Sequence, residues 1–228
     1  MANILLAYYS RTGHTARLAN TLATEMRHRG HRVEIESIQV ERDWNKWLLP
    51  LPLLPLLPLL PIYLLSKAFR RLWLRIYKQH EQSIRPLSVP DVSNFDMILL
   101  GTPKWLYISY PIARYLKTVK GMAGKPVGPF ATFCGPPLEV FEIEMLFEPL
   151  ESRLKVLNAV VVDRLTISSG FHPFFFFNEM EQVFRYLSLK VFGRPLVDFS
   201  MDGDIGRAEI QRFCDEISSW RLSHKEKT

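Results

Sequence analysis

Six consecutive residues, Ser10, Arg11, Thr12, Gly13, His14 and Thr15, stand between an apolar run at residues 4–8 and a segment of helical spacing. A helix N-terminus placed there presents free backbone N–H groups and the positive end of its dipole, a preformed site for a phosphate. The hydroxyls of Ser10, Thr12 and Thr15 can add hydrogen bonds, and Gly13 permits close approach of the backbone. The Gly-Lys-Ser/Thr ending of triphosphate-binding loops is missing. Taken alone, the hexapeptide also reads as an ordinary helix cap, and His14 either touches a phosphate or faces solvent.

Two further loops carry reactive or flat side chains. Thr102, Pro103, Lys104, Trp105, Leu106 and Tyr107 follow an apolar run at 95–100, and Cys134, Gly135, Pro136 and Pro137 follow another at 127–133. Trp105 and Tyr107 offer π-faces that can cover a planar ligand or simply pack in a core. Cys134 is more simply a buried thiol than a reactive one. His172 beside Pro173 reads as a structural loop residue, and Asp163 and Asp198 show no pairing that argues for acid–base work. The two cysteines, Cys134 and Cys214, match neither a metal-ligand spacing nor a disulfide framework, which points to a reducing, cytoplasmic setting. No residue stands out as catalytic and no metal site is expected.

These loops need a frame to hold them. Continuous apolar runs at 4–8, 95–100 and 127–133, an alternating one at 33–38 and a fifth run at 156–167 read as strands. Helical spacing lies between them: Leu18, Leu22 and Met26 before Gly30, then 112–119, 138–150 and 205–220, the last with Ile210, Phe213 and Ile217 on one face. Strands alternating with helices imply right-handed crossovers and a five-stranded, parallel, doubly wound α/β sheet. In such a sheet the ligand sits beyond the carboxyl ends of the strands, where all three loops fall.

At 228 residues, 47% hydrophobic and 23% charged, the chain suits one domain over 1–228 with two insertions, at about 41–90 and 170–204. The N-terminus lacks a basic n-region and reads as a first strand, not a signal peptide. In the first insertion, residues 48–65 carry no charge and hold five prolines, at 50, 52, 55, 58 and 61, which argues against an ordinary helix there. Residues 62–79 then turn helical, with Ile62, Leu65, Phe69, Leu72, Trp73 and Ile76 on one side and Lys67, Arg71, Arg75 and Lys78 towards the other. Residues 41–90 contain eight Lys/Arg and three Asp/Glu, and so carry five of the six net positive charges. An anionic membrane surface meeting residues 48–78 is the expected partner, and no nucleic acid is expected; a dimer interface or a lid is the alternative use of so apolar a segment. The second insertion opens with Phe171-His172-Pro173 and four phenylalanines, then a helix at 179–191 whose Val183, Tyr186, Leu187 and Lys190 are available to cover something.

Ser10-x-Thr12-Gly13-x-Thr15 after an N-terminal strand resembles the phosphate loop of the flavodoxin family, which binds flavin mononucleotide (FMN). Residues 95–103 followed by Trp105 resemble that family's third strand and isoalloxazine loop. The resemblance implies a flavodoxin-like fold with FMN as cofactor, its phosphate on residues 10–15, its ring flanked by 102–107 with Trp105 or Tyr107 stacked on it, and Cys134 to Pro136 and Pro137 as the third wall. Two departures matter: the third loop lacks the glycine-acidic and tyrosine features usual in short-chain flavodoxins, and the chain is basic where those carriers are acidic. The layout at 171–193 is similar to that of the flavodoxin-like, quinone-dependent protoporphyrinogen oxidases. The flavin loop, taken together with the apolar proline-rich run and the basic helix of the first insertion, leads to the expectation of an FMN oxidoreductase, peripheral at a membrane, that passes electrons from a reduced donor to an apolar acceptor such as a quinone. A flavodoxin-type carrier without its own substrate, and a porphyrinogen oxidase-like enzyme, are the alternatives.

Overall fold

The computed structural model describes residues 1–42, 57–76, 80–105, 107–169 and 175–225. The readings made for Leu106, for residues 48–56 and 77–79, and for Phe171, His172, Pro173 and Phe174 lie outside these described residues.

Strand β1 (Asn3–Tyr8) shows why the strands read as unbroken apolar runs. Successive side chains of a strand point to opposite faces. Leu5 and Ala7 enter one core with Ile98, Leu100, Val127 and Ala131, while Ile4, Leu6 and Tyr8 enter a second with Leu18, Leu22, Met26 and Phe213. A sheet covered on both sides needs apolar residues at every position. Helix α1 (His14–His28) and strand β2 (Arg32–Ser37) follow, then α2 (Leu60–Leu65) and α3 (Lys67–Ile76). The core continues with β3 (Met97–Pro103), α4 (Tyr110–Thr118), β4 (Pro126–Cys134) and α5 (Met145–Val156). It closes with β5 (Val160–Val161), β6 (Leu165–Ser169), α6 (Phe175–Phe192) and α7 (Asp204–Lys225). All strand pairs are parallel, in the order β2-β1-β3-β4-β5, with β6 also on β4. That is the flavodoxin-like order, with its switch point between β1 and β3.

The expected fifth strand at 156–167 is corrected. Helix α5 runs on to Val156, whose side chain is 79% exposed, and the strand beyond is in two pieces. Val161 pairs with Val127 and Leu165 with Phe130, so three residues oppose two: an extra residue forms a bulge. The polar pair at the bulge turns outward, Asp163 to Arg212 and Arg164 to Glu151. The expected helix at 138–150 likewise begins as a π-helical turn, Glu139–Glu144, before α5.

The first insertion leaves and returns through a narrow neck, where Glu41 N–H donates to Ser83 O at 3.1 Å and Arg85 N–H to Gln39 O at 2.8 Å. Its helical part is two helices, because Ser66 is extended (φ −117°, ψ 108°). Pro61 stands at the first turn of α2, where its missing N–H is not needed, so proline did not exclude helix at that end of the run. The break also divides the apolar stripe: Tyr63, Phe69 and Trp73 turn inward onto Tyr107 and Met145, whereas Ile62, Leu65 and Leu72 are exposed. In the second insertion α6 extends the expected 179–191 at both ends; among its described side chains Phe184 and Ser188 are buried and Leu187 is half-buried, with Val183, Tyr186 and Lys190 exposed.

Candidate functional site

Parallel pairing brings the three loops side by side. Tyr8 lies opposite Gly101, Pro103 opposite Thr132 and Cys134 opposite Ser169, so the chain leaves β1, β3 and β4 at one edge of the sheet.

Gly13 caps α1 with φ +90° and ψ −19°, a left-handed conformation that favours glycine. A Cβ built there meets no atom within 4 Å. Among the described residues no side chain caps the helix, and its own first turn holds no acidic residue, which leaves its N–H groups available to an anion, while Asp202 from outside the helix is held on Arg17. Ser10 Oγ accepts from Gly13 N–H at 3.2 Å and draws the loop closed. Thr12 is exposed, and Arg11 and His14 are half-buried. Thr15 is 1% exposed and shares a 2.8 Å hydrogen bond with Thr132 Oγ1, so its hydroxyl is engaged by β4. Thr132 was not among the residues singled out from sequence.

In the second loop, Thr102 is buried and its hydroxyl bonds to Pro103 O at 3.0 Å and Ser109 Oγ at 2.9 Å. The Trp105 ring stands edge-on to Tyr9 and Tyr110, at centroid separations of 5.7 and 5.0 Å, and remains half-buried. Tyr107 is 1% exposed and packs with Tyr63 and Met145 beneath the first insertion. Of the two aromatics, Trp105 is thus the one with surface left to cover a ligand. Burial pushes the Tyr63 hydroxyl up to about 12, opposed by the neighbouring Tyr107 hydroxyl.

Lys104 is anchored by its N–H to Thr132 O at 2.9 Å, and its ammonium reaches Glu142 Oε2 at 2.7 Å and lies 4.3 Å from the Phe141 ring centre. Burial raises the Glu142 carboxyl above its ordinary value, and Lys104 opposes that rise. Two residues on, Glu144 meets Arg70 Nη2 at 2.9 Å, while Arg70 Nη1 donates to Tyr63 O at 3.2 Å. The π-helical turn therefore holds Lys104 through one carboxylate and the first insertion through another. π-turns of this kind frequently occur at functional sites.

In the third loop, Gly135 has φ +128°, and a Cβ there would lie 3.1–3.3 Å from the Phe184 ring, so α6 is seated on this glycine. Ser168 Oγ donates to Gly135 O at 2.7 Å, and Pro136 is buried. Burial pushes the half-exposed Cys134 thiol up, against a weaker lowering by Ser169, which keeps it protonated and a poor nucleophile. Among the described residues no His/Cys/Asp/Glu cluster could hold a metal.

Sequence reasoning missed Glu142, Glu144, Arg70, Thr132 and Phe184. Arg70 carries the only trace of a signal, as a cation that falls off the basic face formed by Lys67, Arg71 and Arg75.

No known protein family's sequence profile and no curated protein matches the chain. Among solved structures it is similar to a flavoprotein from Lactobacillus acidophilus in complex with FMN, with 19% identity, 73% of this chain and 93% of that one covered, and a TM-score of 0.50. It also aligns with an archaeal flavodoxin at 13% identity, with 83% and 98% covered and a TM-score of 0.43. The first of these likenesses agrees with the strand order: the fold is flavodoxin-like.

Proposed function

We propose that this chain binds FMN and works as an electron-transfer oxidoreductase at a membrane surface, with a quinone or another apolar acceptor. The observation that carries the cofactor is the N-terminus of α1 at the switch point, with no side-chain cap among the described residues, no acidic residue in its own first turn, and open space at Gly13. The residues present fit a phosphate there, and the FMN-bound protein that shares the fold supports that choice of ligand. When bound, FMN supplies electron transfer through its ring. The chain supplies the rest: N–H groups of residues 10–15 hold the phosphate, Trp105 lines the ring, and Cys134, Gly135 and Pro136 form the third wall. The two insertions keep water from these loops, one over Tyr107 and the other over Gly135. The visible absorption spectrum of the purified protein, with the released cofactor identified after denaturation, tests the reading. A colourless protein that takes up no added FMN overturns it.

The membrane part of the reading is supported by what the insertions leave outside. Ile62, Leu65 and Leu72 are exposed, Leu65 at 88%, beside exposed Lys67 and Arg71. On α6, Val183, Tyr186 and Leu189 are exposed beside Arg185 and Lys190. Among the described residues no helix is long and apolar enough to cross a membrane, so the contact is shallow, with apolar groups inserted and cations at anionic headgroups. Location is then cytoplasmic and peripheral. Vesicle sedimentation tests it: Leu65→Glu/Leu72→Glu and Lys67→Glu/Arg71→Glu should each release the protein from anionic vesicles. Wild-type protein that stays in the supernatant overturns this part. Deleting the insertion would be a poorer test, since it uncovers Tyr107 and Met145.

The fold also suits an electron carrier with no substrate of its own. Stepwise reduction separates the two: bleaching in two well-separated stages supports the carrier, and a single two-electron stage supports the oxidoreductase. Anaerobic bleaching by a porphyrinogen would identify that substrate class.

A further inference from the structure

Lys104 and Glu142 form an ion pair buried on both sides, with side chains 7% and 2% exposed. Every other ion pair among the described residues keeps one partner at least 22% exposed. Such a pair is a poor stabiliser, because removing both charges from water costs about as much as their attraction returns, and apolar replacements of similar volume often do as well. Its presence calls for another role. An ammonium has three donors. Among the described residues one of them meets an acceptor, Glu142, and the Phe141 ring takes no conventional hydrogen bond. The pair spans the site, with Lys104 at the end of β3 and Glu142 inside the π-helical turn after the third loop. The Cys134 thiol of that loop senses both charges, Glu142 raising it and Lys104 lowering it.

We propose that Lys104 meets the ring end of the bound cofactor: its remaining donors hydrogen-bond the edge of the isoalloxazine that gains electrons, and Glu142 is the positioning residue that aims it. The proposal rests on the FMN reading above. Transfer of two electrons and one proton from the donor leaves one extra negative charge at that edge, which the ammonium offsets. Lys104 keeps its own proton, and no bond to it forms or breaks.

The test uses the full chain. Wild-type protein is first titrated with FMN, and failure to bind overturns the cofactor reading itself. The two-electron midpoint potential of bound FMN is then read against a reference dye, without substrate, for wild type, Lys104→Met, Lys104→Arg and Glu142→Gln. Lys104→Met should weaken binding of reduced relative to oxidised FMN roughly tenfold or more, as expected for loss of an adjacent opposite charge. The potential falls by about 30 mV for each such factor of ten. Lys104→Arg should restore most of it, and Glu142→Gln should shift it less than Lys104→Met. Urea unfolding of the FMN-free protein separates a structural role: Lys104→Met/Glu142→Leu should be about as stable as wild type yet keep the lowered potential. If Lys104→Met alone does not fold, the double variant carries the measurement. A potential unchanged on loss of Lys104 overturns the proposal.

Discussion

Gly13 and Gly30 stand at the two ends of α1 and form a matched pair for testing the phosphate site. Gly13 has φ +90° and Gly30 φ +81°, and a Cβ built on either meets nothing within 4 Å. Alanine at either position therefore adds no clash within the protein and costs only left-handed backbone strain, about 1–2 kcal/mol. In a domain of this size that lowers Tm by roughly 2–8 °C in both variants. Only the methyl at Gly13 enters the space assigned to phosphate. If it displaces one charge-assisted hydrogen bond, worth about 1.5–3 kcal/mol, FMN affinity falls roughly ten- to hundredfold. The assay is quenching of flavin fluorescence, giving Kd for FMN and for riboflavin with wild type, Gly13→Ala and Gly30→Ala. The expected result is weaker FMN binding in Gly13→Ala alone, with riboflavin binding the same in all three. Equal FMN affinity in Gly13→Ala and Gly30→Ala, at equal loss of Tm, would refute the assignment of the phosphate to this loop.

Other outcomes follow from the same geometry. In Gly101→Ala the new Cβ would lie 2.3 and 2.5 Å from Phe130 ring carbons and 2.8 Å from Tyr8 Cβ, so overpacking should cost about 1–3 kcal/mol or more, read as a lower thermal midpoint. Thr15→Val removes one side of the buried Thr15–Thr132 bond and should cost about 1–3 kcal/mol in urea unfolding, with Thr15→Val/Thr132→Val recovering most of it. The folded state holds the Glu142 proton to higher pH than the unfolded chain does. Its stability contribution is therefore full below the ordinary carboxylate pKa of about 4.3 and is lost as pH rises through the raised value. Unfolding measured across that window should show a downward slope in wild type that Glu142→Gln lacks.

Much of the frame was legible along the chain because it is written in local periodicity. Leu18, Leu22 and Met26 recur at helical spacing and are fully buried on α1, and Ile210, Phe213 and Ile217 form the buried face of α7 as read. The loop proposed to hold phosphate was legible as a strand-to-helix turn for a related reason: a helix N-terminus after a buried strand is a local feature, and Gly13 takes the backbone conformation that a glycine there suggests. Periodicity failed where an element is interrupted. Ser66 breaks one amphipathic stripe into two helices with different inner faces, and the extra residue before Leu165 turns one expected strand into two short ones.

The sequence by itself determined the strand and helix alternation, the turn between β1 and α1 and the concentration of positive charge in the first insertion, since each depends on neighbours within a few turns. Only the tertiary structure decided which polar groups meet. Thr15 finds Thr132 across 117 positions, Arg70 finds Glu144 across 74 and Lys104 finds Glu142 across 38. It also decided that Tyr107 lies under the first insertion while Trp105 keeps an open side. A buried hydroxyl or charge must find a partner wherever the fold brings one within hydrogen-bond reach, and that proximity is a property of the packed chain, which the spacing of residues along it does not contain.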